Sequence, residues 1–351
     1  MESLPIVGLM LGDMTGIGPE ICARLLDSGR LRDVARIVVV GDARVFHLGC
    51  DDAHVQPRVR VYRTIADVDW ARSDVPLIDL GNIDPSGIRR AQVSPESGRL
   101  TGETLRELVT RALAGEIEAV CFAPLNKAAL HQGGWNFNDE HQLFAHLTSH
   151  QGFFGEMNVI PEFATFRVTS HMSLRDALTL ITKERVMAAI ALARTSLRQL
   201  RTEHARIVVA ALNPHAGEGG LFGNEEIQII GPAIESSRAA GIDCAGPFPA
   251  DTLFLRAQKG EFDGVVTMYH DQGQIATKLL GFHRGVTVTA GLSTVFTTPA
   301  HGTAFDIVGD GVADTGALEQ ALRIASTMAV SRRLARGLQD TGEASDARPS
   351  M

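Results

Sequence analysis

The stretch Pro5-Ile6-Val7-Gly8-Leu9-Met10-Leu11-Gly12-Asp13-Met14-Thr15-Gly16-Ile17-Gly18-Pro19-Glu20 decides the fold class. Its apolar first half reads as a strand buried on both faces, and the glycines that follow permit a tight turn. Pro19 suits the first position of a helix, whose N-terminus would favour an anionic ligand. The Gly-x-Gly-x-x-Gly spacing of a dinucleotide fingerprint is absent, so the unit is strand, turn and helix without that motif.

The same alternation continues along the chain. Arg36–Val40, Ala119–Ala123, Ala205–Ala211, Gly264–Met268 and Gly285–Ala290 are further apolar runs of strand length. Between them, Thr101–Ala114 places Leu105, Leu108, Val109, Ala112 and Leu113 on one helical face. Nearly continuous apolar strands alternating with amphipathic helices predict an α/β protein with a largely parallel sheet in each domain. At 351 residues with 44% hydrophobic content, two domains are expected. Crossings are expected near 127–134 and 286–290, giving one unit of 1–130 plus 290–335 and another of 131–289. Residues 336–351, poor in apolar side chains, read as a disordered tail.

Lys and Arg total 33 against 41 Asp and Glu, a net charge of -8 with no basic block, which argues against a nucleic-acid partner. The four cysteines are scattered without a Cys-x-x-Cys pair and read as reduced packing residues. No basic leader and no uncharged run of membrane-spanning length is visible. A cytoplasmic location away from membranes is expected.

Three histidines follow predicted strands in polar, turn-forming surroundings: His171 in Val168-Thr-Ser-His-Met, His215 in Leu212-Asn-Pro-His-Ala-Gly, and His270 in Met268-Tyr-His-Asp-Gln-Gly. Imidazoles at strand ends where loops converge can hold a divalent metal, and three protein ligands leave a coordination position for substrate.

Taken with Gly12–Glu20, Ala123-Pro-Leu-Asn-Lys127, Gly246-Pro-Phe-Pro-Ala-Asp251-Thr-Leu-Phe254 and His301-Gly-Thr-Ala304, these segments resemble the 4-hydroxythreonine-4-phosphate dehydrogenase family of vitamin B6 synthesis in order and spacing over nearly the whole chain. The resemblance implies two α/β/α subdomains flanking a cleft, as in isocitrate and isopropylmalate dehydrogenases, and a homodimer with shared active sites. It implies NAD (or NADP) as cofactor and one divalent ion, Zn, Mn, Co or Mg, held by His171, His215 and His270, with His270 contributed across the dimer. Asp251 matches the acidic position beside the metal and Lys278 the substrate-contacting lysine. His301, Gly302, Thr303, Ala304 and Asp306 resemble the loop that grips the adenosine half of NAD.

Departures from the family pattern bear on the substrate. Asp139-Glu140-His141-Gln142 stands where Gly-His-Thr-Glu is usual, Thr287 where Asn is usual, and Phe296 where a phosphate-binding Arg is usual. Glu140 would repel a substrate anion unless a cation intervened, and Arg284 and Lys127 are the remaining basic candidates. A related branch, which oxidises carboxylated cis-dihydrodiols such as terephthalate dihydrodiol, also lacks that Arg. The expected activity is therefore oxidation of a secondary alcohol on a carboxylated, non-phosphorylated substrate, with decarboxylation. The alternative is 4-phosphohydroxy-L-threonine oxidation in pyridoxal phosphate synthesis. An acyl or phosphoryl transferase on the same fold would not need the three histidines, and no added module suggests a purely ligand-sensing protein.

Overall fold

A computed structural model describes residues 3–281 and 284–346, with side chains to residue 337. Among the described residues the strands are β1 (Ile6–Met10), β2 (Arg36–Gly41), β3 (Val59–Tyr62), β4 (Val75–Asp79), β5 (Ala119–Phe122), β6 (Gly155–Val159), β7 (Ala164–Arg167), β8 (Ile207–Ala210), β9 (Cys244–Phe248), β10 (Gly264–Thr267), β11 (Val286–Ala290) and β12 (Val295–Pro299). The helices are α1 (Gly18–Asp27), α2 (Ala43–Ala53), α3 (Pro95–Leu113), α4 (Lys127–Gln132), α5 (Glu140–Leu147), α6 (Leu174–Leu180), α7 (Lys183–Gln199), α8 (Gly231–Ala239), α9 (Ala250–Gln258), α10 (His270–Gly281) and α11 (Gly316–Asp346).

The six predicted strands are all present, but they join one 12-stranded sheet in the order β3-β4-β2-β1-β5-β12-β11-β6-β7-β10-β8-β9. The outer strands of each half run parallel, whereas β12–β11, β11–β6 and β6–β7 are antiparallel, so the sheet is mixed at its centre. Along this sheet, β1–β5 and β12 lie on one side and β6–β11 on the other. Helix α11 carries the backbone through part of the segment read as a tail, to Asp346, and residues 347–351 lie outside the described residues.

Two of the strands that sequence patterning missed, β6 and β7, share a cause. In β6 and β7, Glu156, Asn158, Thr165 and Arg167 alternate with Met157 and Phe166, so neither strand is a continuous apolar run. Met157 and Phe166 enter the main hydrophobic cluster on one face, and the polar set is buried on the other.

Gly12 to Ala23 is buried throughout. Asp13 Oδ1 accepts from Thr15 N, Thr15 Oγ1 and Ser97 Oγ, and Ile17 N donates to Thr303 O. A Cβ on Gly16 would come within 2.7 Å of Thr303 Cβ. In this chain the glycine turn serves close packing between two loops, and the start of α1 is covered.

Asp42 shows how a single buried carboxylate ties the first half together. It caps α2 by accepting from Arg44 N, takes Arg44 Nε and Nη2 at 2.9 and 2.8 Å, and accepts Ile83 N at 2.8 Å. Burial alone would raise its pKa, and the bonds from Arg44 and Ile83 override that and lower it. Its contribution is therefore present above the ordinary Asp range, near pH 4, and lost as pH falls through the depressed value. Asp42→Ala should cost on the order of 2 kcal/mol in urea unfolding at pH 7, and the gap to the parent chain should narrow in acid.

Candidate active site

The neighbouring strands β7, β10, β8 and β9 are mutually parallel, so their C-terminal ends form one rim. His171 follows β7, His270 opens α10 after β10, His215 lies in the 3-10 turn Pro214–Gly220 after β8, and Asp251 sits in the first turn of α9 after β9. Adjacent strands are about 4.8 Å apart, so side chains from nearest neighbours on this rim meet most readily.

His171 and His270 are such neighbours, with ring centroids 5.3 Å apart in a single chain. His215 is exposed one strand further along, its ring 6.1 Å from Phe222, and Asp251 is exposed two strands further. Both His171 and His215 have left-handed backbones, with φ of 48° and 50°, at loops that re-aim their side chains.

Carboxylates orient the paired imidazoles. Asp139 accepts from His171 Nδ1 while its other oxygen caps α5 at Gln142 N, and Asp271 lies 2.7 Å from His270 Nδ1. Each ring thus turns its Nε2 away from its carboxylate, the arrangement by which outer partners fix a ligating histidine. Burial, reinforced by the nearby Arg167 and His171, lowers the pKa of His270 despite Asp271, which favours the neutral form that metal binding requires. Glu156 completes a group with His171 and His270 whose donor atoms all lie within 4.8 Å of one another. These residues fit a divalent ion. A cavity of about 410 Å³, lined by Thr169, Ser170, His171, Tyr269, His270 and Asp271 among others, opens beside them.

Glu156, Asn158 and Arg167 were not visible as site residues, although the period-two alternation in Glu156-Met157-Asn158 and Thr165-Phe166-Arg167 carried the signal. Asn158 donates to Glu156 and to Thr287 Oγ1, both at 2.9 Å, so Thr287 is buried in this network. His141 is buried on α5, where Nδ1 shares a 2.7 Å hydrogen bond with Thr289 Oγ1. Glu140 is also buried, and Lys127 Nζ stands 3.3 Å from its carboxylate, supplying the cation that its position demands.

Phe296 is fully buried and stacked on Phe144 of α5, ring centroids 4.1 Å apart and planes 4° from parallel. It belongs to a hydrophobic cluster with Phe122 and Leu143. It therefore serves as core in this chain rather than as a wall of a substrate pocket. Arg284 is exposed at the start of β11, and Lys278 is exposed on α10. Eight residues of helix separate Lys278 from His270, about 12 Å along the axis, so its own chain does not bring it to the histidine pair.

In the loop after β12, Thr303 is buried against Gly16, His301 Nδ1 lies 3.0 Å from Gly302 O, and Ala304 is left-handed at φ 45°. Gly302 and Asp306 face solvent.

The chain matches the family described as pyridoxal phosphate biosynthetic protein PdxA over residues 33–325. It belongs to the PdxA family. A relative in Rhizobium meliloti, provisionally named 4-hydroxythreonine-4-phosphate dehydrogenase 2, is 42% identical over 332 residues, 95% of each chain. D-threonate 4-phosphate dehydrogenase of Cupriavidus necator is 39% identical over 332 residues, covering 94% of this chain and 99% of that one. A crystal structure of 4-hydroxythreonine-4-phosphate dehydrogenase from Klebsiella pneumoniae superposes with a TM-score of 0.81 at 37% identity, covering 93% and 98%. A terephthalate 1,2-cis-dihydrodiol dehydrogenase from Burkholderia xenovorans stands further off, at TM-score 0.65 and 26% identity over 92% and 98%. The dihydrodiol branch is thus a distant neighbour within the PdxA comparison. No helix among the described residues is long and apolar enough to cross a membrane.

Because Phe296 is a core residue, Phe296→Ala should act on stability. Removing a fully buried, stacked ring costs about 3–5 kcal/mol. A lowered urea midpoint with unchanged substrate preference in the remaining folded protein is the expected result. Unchanged stability with altered preference would return Phe296 to the pocket.

Proposed function

We propose that this chain is an NAD-dependent, divalent-metal-dependent dehydrogenase that oxidises a secondary alcohol of a four-carbon hydroxy acid carrying a 4-phosphate, such as D-threonate 4-phosphate or 4-phosphohydroxy-L-threonine. The observation that carries this reading is the full-length relationship to dehydrogenases named for those substrates. This replaces the expected non-phosphorylated substrate, a carboxylated cis-dihydrodiol or hydroxy acid.

When bound at His171 and His270, a divalent ion would supply Lewis acidity to the alcohol and its neighbouring group, and NAD would accept the hydride. The protein's own part is positional and electrostatic. Asp139 and Asp271 hold the imidazoles, and His141, fixed by Thr289, presents its Nε2 near Glu140 and Glu156, 3.9 Å from each. Lys127 offsets Glu140, which lets an anionic substrate approach that wall. Residues 301–306 form the cofactor loop of this reading, with His301, Gly302 and Asp306 accessible and Thr303 and Ala304 shaping the turn.

A homodimer with shared sites belongs to the same proposal. Leu221, Phe222, Ile227, Leu255, Ile275 and Leu279, the last 83% exposed, are large apolar side chains on the elements that follow the rim strands. Such exposure suits a subunit interface. Across a two-fold axis, Lys278, Arg284, His215 or Asp251 of one chain can complete the site built on His171 and His270 of the other. Lys278 would then steady the developing oxyanion.

Steady-state NAD reduction decides the substrate. A charge-assisted phosphate anchor is worth about 1.5–3 kcal/mol, so kcat/KM for D-threonate 4-phosphate or 4-phosphohydroxythreonine should exceed that of the unphosphorylated analogue roughly ten- to a hundredfold. A carboxylated cis-dihydrodiol turned over faster than every phosphorylated compound would overturn the reading.

Site sharing has its own test. His171→Ala and Lys278→Ala should each be nearly inactive. Mixing them under conditions of subunit exchange should restore about a quarter of parental activity through hybrids with one intact site. No recovery in verified hybrids would place Lys278 outside the partner's site.

A further inference from the structure

Helix α11 carries Arg332, Arg333 and Arg336 within little more than one turn, in a chain whose net charge is -8. Their surroundings differ. Arg333 is matched, with Nη1 3.4 Å from Glu118 Oε1 and Nη2 donating to Ser3 O at 2.7 Å. Arg332 is partly buried and meets only neutral acceptors: Nη1 donates to Ser293 O at 2.9 Å and Nε to Gln199 Oε1 at 3.3 Å. Arg336, one helical turn on and so on the same face, has no carboxylate partner among the described residues.

Like charges at this spacing repel, and a guanidinium withdrawn from water without a counter-charge is costly. Burial, reinforced by Arg336, pushes the Arg332 pKa down to about 10, as befits a cation that its surroundings leave uncompensated.

The space beside this pair suits a small anion. A cavity of about 220 Å³ is lined by Thr195, Ser196, Gln199, Ser293, Arg332 and Arg336 among others, and none of its lining residues is acidic. An adjoining cavity of about 160 Å³ shares Ser293, Arg332 and Arg336. Its carboxylate, Glu118, is committed to Arg333 and to Ile6 N at 2.9 Å. The walls come from the last turn of α7, the connection 291–294 between β11 and β12, and α11. Paired guanidiniums among hydroxyls offer more donors than a single carboxylate accepts, whereas a phosphate has both the oxygens and the charge to take them.

We propose that this pocket is an anion site, separate from the histidine site, in which Arg332 and Arg336 bind the phosphate group of free phosphate or of a small phosphomonoester. The bound anion joins α7, the β11–β12 connection and α11. The proposal stands independently of the dehydrogenase's substrate and metal.

Hydrogen–deuterium exchange of the full-length protein, against chloride at matched ionic strength, locates the site, and calorimetry measures its affinity. Inorganic phosphate should bind saturably and slow exchange in 193–200, 290–295 and 329–337. Arg336→Ala, a change at an exposed side chain, should weaken this binding about tenfold or more and remove the protection. Arg332→Gln should do the same, and His171→Ala should leave both affinity and protection here as in the parent. The two sources of phosphate are separated with sn-glycerol 3-phosphate: tighter binding than inorganic phosphate supports an esterified ligand, and equal or weaker binding supports the free ion. Protection confined to the histidine rim, or parental binding by both arginine variants, overturns the proposal. Acetate that protects the same segments as strongly as phosphate overturns the assignment to phosphate. If Arg332→Gln lowers the melting temperature yet keeps parental phosphate affinity, Arg332 is a structural tie and its binding role falls.

Discussion

A carboxylate and a guanidinium, Glu156 and Arg167, are buried side by side in the middle of a sheet, and everything around the site accommodates that pair. Removing two charges from water is costly unless each is hydrogen-bonded by its surroundings. Here Asn158 bonds both partners, and burial, which would raise the Glu156 pKa, is outweighed by Arg167 and His141, so the carboxylate stays ionised. An ionised carboxylate beside two imidazoles is the electrostatic setting for a cation. The neutral state favoured by burial of His270 fits the same purpose.

The register explains why this network touches both halves of the protein. Phe296 on β12 pairs with Thr289 on β11, and Thr289 pairs with Glu156 on β6. Cross-strand partners point to the same face, so these three side chains form a row. Helix α5 lies over it: Phe144 stacks on Phe296 and His141 bonds Thr289, while Asp139 at the helix cap holds His171. The unusual residues at 139–142, 287 and 296 are thus one packed assembly. Part of that assembly is apolar core and part is polar site, and the boundary falls between Phe296 and Thr289.

Parallel neighbours β7, β10, β8 and β9 bring four sequence-distant loops to one edge, where ligands of α/β proteins commonly gather. The order of strands along that edge sets which residues can meet. His171 and His270 are adjacent, whereas His215 and Asp251 project from strands further out. Their exposure, and that of Lys278, is what a site completed by a second subunit requires.

The sequence by itself determined the α/β class, the positions of the most apolar strands and the PdxA family. Continuous apolar runs and strand-end motifs are local signals, readable without knowing what packs on them. It could not determine which face of a central strand is polar or which residues share a row, because register links residues more than a hundred positions apart. Phe296 therefore looked like a missing phosphate anchor and proved to be core. Glu156 and Arg167, eleven positions apart, lie outside every apolar run read as a strand and proved to be the centre. Only the tertiary structure, through sheet register and the placement of α5, decided those roles.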